Sequence, residues 1–485
     1  MNKIELINKI DEWIKAKRGN YVKDVISAVN IPSISGGAEG IYPYGRACAK
    51  MLDFMQEAME RYTLPYQNHE YHCASSLIMG KKGNKEIGLF CHTDVVPAVG
   101  EWEFEPFSAF EKEGHIYGRG SNDNKGSVFS CVYALRFLQE NDYVLNSNVR
   151  LFLGANEEAG MNDCKYYLQK YKAPDYSIVA DSWFPLSASE KGRFVFSAKT
   201  NKVKGNLLRF FTENDSTSIP GECFAVLSGV AVQDLAENVK NTEGIKLIDT
   251  VDGMEVVASG VGNHPAFPEG TINAVKRCAD FLLENQLLIG EVKESVKNIR
   301  DSILDYYGEA FRLDFRDEFA GRTTHVLTKV LLTSDSLNLE YIFCYPAVST
   351  LNKEQVYKKI VKHFTEMDMT CECVKEWTPH YVDPNHEIAH ILCENSSLVY
   401  GKKLKPFAMA GGTYTWVLPN SFAAGPNVHH ITQSLYKIPG HGFPHQPDEC
   451  MNIDVWLNGI KIYILSLIEI DEWLSGPNGI IQQEV

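Results

Sequence analysis

The chain has 485 residues, 44% of them hydrophobic, enough to bury a sizeable core and to build two or three domains. Its formal charge of −15 repels phosphate backbones and anionic membrane surfaces, which argues against nucleic acid or a membrane as partner. Twelve cysteines are scattered without a CxxC pair, so they read as buried thiols of a reducing, cytoplasmic compartment.

The opening segment MNKIELINKIDEWIKAKRGNYVKDV sets charges among apolar residues at helical spacing and lacks the uninterrupted apolar core of a signal peptide. YGRACAKMLDFMQEAMERY has helical spacing, EIGLFCH reads as a buried strand, KGSVFSCVYALRFLQEN as a helix, and NVRLFLGANEE and YSIVADSWFP as further strands. Strand and helix taking turns predict an α/β fold with a mixed, mostly parallel sheet covered by helices. From about residue 190 the elements become shorter strands, such as KGRFVFSAKT and GMEVVASGV, mixed with helices such as TINAVKRCADFLLENQ. After HYVDPNHE the chain returns to a helix, the glycine pair of MAGGTYTW and a loop rich in Pro, Gly and His. This order predicts a catalytic domain in two parts, 1–189 and 385–485, interrupted by an inserted α+β domain over 190–384. The late apolar run VWLNGIKIYILSLIEIDEWL carries Asn458, Lys461 and Glu469, which favours a packed helix over a membrane span.

In a parallel, helix-covered sheet the functional groups collect just beyond the carboxyl ends of the strands. Here those ends read CHTD, ANEEAG and VADSWFP. His92 and Asp94 stand two residues apart and share a face if the strand continues; the pair suits a metal ligand with a carboxylate behind it, or simply a capped strand end. Asp123, in the glycine-bracketed GRGSNDNKG, could cap the helix that follows, but Arg119, Gly120, Lys125 and Gly126 make the turn more specific than a generic cap. Glu157 and Glu158 put like charges side by side at the end of an apolar strand, a costly arrangement unless a cation is present. Asp181 repeats the pattern after YSIVA. His429, His430, His441 and His445 crowd one late loop, and spacing alone does not choose among them. Such a mixed nitrogen and oxygen set suits zinc, with cobalt or manganese open, and several carboxylates imply more than one ion.

The series HTDVVP…W…PF, YGRGSNDNKG, ANEEAG, ADSWFP, SEKG, GNHPAFPEGTINA and GFPHQPDE resembles the M20 family of metallopeptidases, and within it the dipeptidase branch, in the right order from about residue 20 onward. The resemblance implies a zinc-peptidase-like catalytic domain with two zinc ions, a lid domain and a small peptide or amide substrate. By that resemblance His92 and Asp181 bind one ion, Glu158 and His445 the other, and Asp123 bridges both. Glu157 matches the general base, Asp94 the residue orienting His92, and His264 the lid histidine that stabilises an oxyanion. A long lid also resembles that of monomeric relatives.

The departures from the family pattern cluster on substrate recognition. Where the dipeptidase branch has an arginine before Tyr-Pro, YIFCYP has Cys344; Thr217 in STSIP replaces an asparagine; and Trp416 follows Gly412 and Thr413 in GGTYTW, where relatives favour arginine. The readings that follow are a dipeptidase with altered carboxylate recognition, an N-acyl amine or N-acyl-amino-acid amidohydrolase, or a silent binding protein. Retention of Glu157 beside a full ligand set favours the hydrolases.

Overall fold

The computed structural model describes residues 3–213, 218–262, 265, 268–317, 319–347, 351–409, 411–428 and 441–476 as a mixed α/β chain. Contacts group it into two compact units, one of Met1–Ala188, Val382–Phe407 and Thr413–Val485, the other of Ser189–Tyr381 and Ala408–Gly412. The second unit thus also takes the short segment Ala408–Gly412 from within the 385–485 stretch expected in the catalytic domain.

In the first unit the sheet runs Gln67–His69, Cys73–Ile78, Asn148–Gly154, Glu86–His92, Tyr176–Val179, Ser421–Ala423 and then the start of Ser187–Glu190. The four strands from Asn148–Gly154 to Ser421–Ala423 are parallel to one another, with antiparallel strands at the edges. Parallel strands are covered on both faces, so they need nearly continuous apolar sequence. EIGLFCH meets that need: every residue from Ile87 to His92 is buried. Phe90 and Phe152 face each other in register and stack at 4.7 Å, inside a cluster with Val179, Tyr167 and Tyr414.

The helix Gly126–Glu140 is buried on every side from Gly126 to Leu138, as a helix apolar all round must be. It packs against the late helix Ile453–Ser475, the run read above as a packed helix. Among the described residues no helix is long and apolar enough to cross a membrane.

The second unit is built on an eight-stranded antiparallel sheet in the order Ile245–Thr250, Gly253–Ser259, Glu222–Leu227, Leu207–Phe211, Thr324–Leu332, Leu337–Tyr345, Gly192–Thr200, Thr370–Trp377. Its strands alternate buried and open positions, clearest in Gly192–Thr200, so one face carries the core. Helices Ala274–Glu284, Val292–Ser302 and Lys353–Glu366 cover that face through Val275, Leu282, Val296, Ile299, Val356 and Ile360.

Candidate metal centre

Because the central strands are parallel, their carboxyl ends lie on one edge of the sheet. His92 closes its strand, Glu157 and Glu158 follow Gly154 by three and four residues, and Asp181 follows Val179 by two. The turn before the buried helix adds Asp123, and the late loop adds His445, whose φ of 66° is an uncommon backbone state for a side chain of that size.

These groups converge. His92 Nε2 lies 3.0 Å from Asp123 Oδ1 and 3.6 Å from Asp181 Oδ2. His445 Nε2 lies 3.2 Å from Asp123 Oδ2 and 3.1 Å from Glu158 Oε1. Two triads result, His92–Asp123–Asp181 and Asp123–Glu158–His445; within each, the ligand atoms lie within 4.8 Å of one another. They share Asp123, each of whose carboxylate oxygens faces a different imidazole.

Asp94 does more than stand behind His92. Its backbone carbonyl is 3.0 Å from His92 Nδ1, nearer than its carboxylate at 3.4 Å, so that ring nitrogen donates away from the triad and Nε2 is the atom whose lone pair an ion would take in exchange for a proton. The two carboxylate oxygens of Asp94 instead accept the backbone amides of Glu157 and Glu158, each at 3.1 Å. One aspartate therefore sets the histidine and both glutamates at once.

The electrostatics call for cations. Burial pushes the carboxyls of Glu157, Glu158 and Asp181 upward, and neighbouring carboxylates add to it: Asp181, Glu158 and Asp94 on Glu157, and Asp123 on both Glu158 and Asp181. Asp123 moves the other way: burial raises it, but hydrogen bonds from His445 and His92 outweigh that and hold it below the usual range. His92 is lowered by burial yet driven up overall by Asp181, Asp123 and Asp94, and His445 is driven up chiefly by Glu158. Five carboxylates around two imidazoles form a donor set whose excess negative charge divalent ions would neutralise, displacing the protons the histidines otherwise hold. Glu157 Oε1 is buried and has no hydrogen-bond partner among the described residues.

Two supporting carboxylates, Glu449 and Asp163, were not singled out from the sequence, whereas Arg119, Gly120 and Asn124 belong to the turn that was. Glu449, fully buried, accepts the backbone amides of Asn122 and Asp123, each at 2.9 Å, and that of Gly120 at 3.0 Å, while Arg119 Nη1 donates to it at 2.6 Å. Asn124 donates to Asp181 Oδ1 at 2.8 Å and to the Ala180 carbonyl at 2.9 Å. Asp163 accepts the amides of Ala155 and Asn156 and the Tyr414 hydroxyl, the last at 2.6 Å, anchoring the loop that carries the two glutamates. Burial and Asp94 together raise the Asp163 carboxyl to about 6.

The residues expected to touch substrate are placed as follows. Cys344 is buried in Leu337–Tyr345, opposite Thr324 on one side and Arg193 on the other, and packs with Ile342 and Val195. Gly412 belongs to the second unit and Thr413 to the first, where its hydroxyl caps the turn Tyr414–Trp416 by accepting the Thr415 amide at 3.3 Å. Trp416 packs against the Phe90–Phe152 cluster. His264 and Thr217 lie outside the described residues.

Fold and cluster together are those of a hydrolase built to work with metal. The chain belongs to peptidase family M20/M25/M40, whose pattern it matches over residues 88–469. It is 25% identical over 486 residues to the Beta-Ala-Xaa dipeptidase of Lactobacillus delbrueckii subsp. lactis, covering 95% of this chain and 97% of that one. Human carnosine dipeptidase 1 shares the fold at a TM-score of 0.58 with 12% identity, covering 96% of this chain and 99% of that one. The dipeptidase Dug1p of Saccharomyces cerevisiae does so at 0.58 with 14% identity, covering 97% and 99%.

Proposed function

We propose that this chain hydrolyses the peptide or amide bond of a small substrate, foremost a dipeptide, with two zinc ions that cobalt or manganese can replace. The observation that carries this reading is the pair of triads sharing Asp123, with the unpartnered oxygen of Glu157 beside them. Similarity to a Beta-Ala-Xaa dipeptidase over nearly the whole chain supports the substrate class.

In this reading His92, Asp123 and Asp181 would hold one ion, and Asp123, Glu158 and His445 the other. When bound, such ions would supply Lewis acidity, lowering the pKa of a water at the site and polarising the scissile carbonyl. The protein supplies the rest. Glu157 takes the proton from the attacking water and returns it to the leaving nitrogen, a task suited to a buried carboxyl whose affinity for protons is raised. Asp94 holds the backbone that carries this base, so base and ligand keep their spacing through the cycle. By the family pattern His264 would donate to the developing oxyanion. The substrate is small, the enzyme acts as a cytoplasmic monomer, and neither nucleic acid nor membrane is a partner.

Of the second reading, an N-acyl amine or N-acyl-amino-acid amidohydrolase, one residue favours the N-acyl amine form, whose substrate has no carboxylate. Cys344 offers a buried thiol where a guanidinium would grip a substrate carboxylate. The two readings separate by comparing kcat/KM of the zinc-reconstituted protein for dipeptides, their C-terminal amides and N-acyl amines. Hydrolysis of free dipeptides above both other groups supports the first, the reverse order the second, and no turnover of any of them contradicts both.

A further inference from the structure

The second unit holds a cavity of about 380 Å³ beside Cys344, within the size range of small-ligand sites. Thr324, directly opposite Cys344 in the strand register, lines it, as do Lys191, Arg316 and Arg322. Lys191 is only 7% exposed, and the one hydrogen-bond partner of its ammonium among the described residues is the Arg322 carbonyl, 2.6 Å from Nζ. An ammonium carries three donors, so two remain to give. Thr324 is 3% exposed, and its Oγ1 has no hydrogen-bond partner among the described residues. Arg322 is held over the Tyr307 ring at 3.9 Å and paired with Glu309 at 3.5 Å. Among the described lining residues three cations face a single carboxylate, Glu269, which already accepts from the Tyr307 hydroxyl at 3.2 Å. Burying a lysine and a hydroxyl with bonds left unmade is costly unless a ligand makes them.

We propose that this cavity binds the free carboxylate of a short peptide, with Lys191 and Thr324 donating to it and the two arginines supplying charge. The proposal rests on the peptidase reading and extends it: Cys344 lacks the charge for a carboxylate, and the cavity next to it carries that charge instead. The ligand chemistry is that of a small oxyanion, which a peptide carboxylate and a free inorganic anion share.

The test is titration calorimetry on zinc-loaded Glu157→Gln protein, which should consume the ligand ~10²–10⁴ more slowly than wild type, with glycyl-leucine, its C-terminal amide and inorganic sulfate. The acid should bind roughly ten- to a hundred-fold more tightly than the amide, as loss of a charge-assisted contact implies. Lys191→Met and, separately, Thr324→Val should reduce that preference while leaving amide affinity unchanged. Equal affinity for acid and amide overturns the proposal, as does a preference that survives both substitutions. Sulfate binding as tightly as the acid through Lys191 overturns the peptide assignment in favour of an inorganic anion. If zinc-loaded wild type hydrolyses no peptide while Lys191-dependent acid binding persists, the failure belongs to the peptidase reading and the anion site stands.

Discussion

Glu449 accepts the backbone amide of Asp123 at 2.9 Å across 326 positions of chain. The same buried carboxylate holds Arg119, Gly120 and Asn122, so the turn that presents the shared metal ligand is shaped from a segment near the other end of the sequence. Replacing Glu449 by Ala would leave Arg119, itself 1% exposed, as an uncompensated buried charge. Breaking a buried pair from one side costs about 3–5 kcal/mol. Urea denaturation of Glu449→Ala should show a loss of that size. A loss under about 1 kcal/mol, the worth of an ordinary exposed pair, would mean the clamp carries no such weight.

Glu157 and Glu158 are adjacent, share the same aspartate through their backbones, and should fail differently. Glu157→Gln should keep both ions and lower turnover by ~10²–10⁴, the usual worth of a general base. Glu158→Gln should instead weaken one ion's binding, since Glu158 Oε1 stands 3.1 Å from His445 in the second triad. Metal analysis beside steady-state kinetics separates the two, and near-normal turnover in Glu157→Gln would refute its role.

Far from the metal centre, His69 gives the fold an acid-sensitive point. It is buried, bonds Ser75 Oγ at 2.8 Å and packs against Tyr167 and Tyr171. Burial, helped by Arg150 and Lys170, lowers it to about 4, against 6.5 when unfolded. The unfolded chain therefore binds the proton more readily, so stability is complete above about pH 6.5 and is lost as pH falls towards 4. Between pH 7 and 5 this one group should cost about 2 kcal/mol. Denaturation at the two pH values should show that loss in wild type and a loss smaller by this amount in His69→Gln; identical pH dependence would rule the histidine out.

Much of the site was legible because its chemistry sits at the ends of strands whose apolar runs are unmistakable. Once EIGLFCH, NVRLFLG and YSIV are taken as parallel neighbours, His92, the glutamate pair and Asp181 must share an edge. What was not legible depends on contacts between distant segments. Glu449 stands in PDEC like any acidic loop residue, and only the fold reveals it buried against the Asp123 turn. Asp163 is a helix-start acid in sequence and a buried anchor for Ala155 and Asn156 in structure. Period-two spacing puts Asp94 on the strand face of His92, but the strand ends at His92, and Asp94 turns its carboxylate to the glutamate amides. Lys191 lies within SEKG, a motif visible at once, yet nothing in four residues tells a buried lysine beside a cavity from an exposed one.

The measurement that bears most directly on the account is the metal content of the protein, purified without chelator and reconstituted with zinc, read together with hydrolytic activity. Two triads sharing Asp123 predict close to two ions per chain, with activity lost on chelation and restored by zinc, cobalt or manganese. One ion or fewer at full activity, or activity indifferent to chelation, would contradict it.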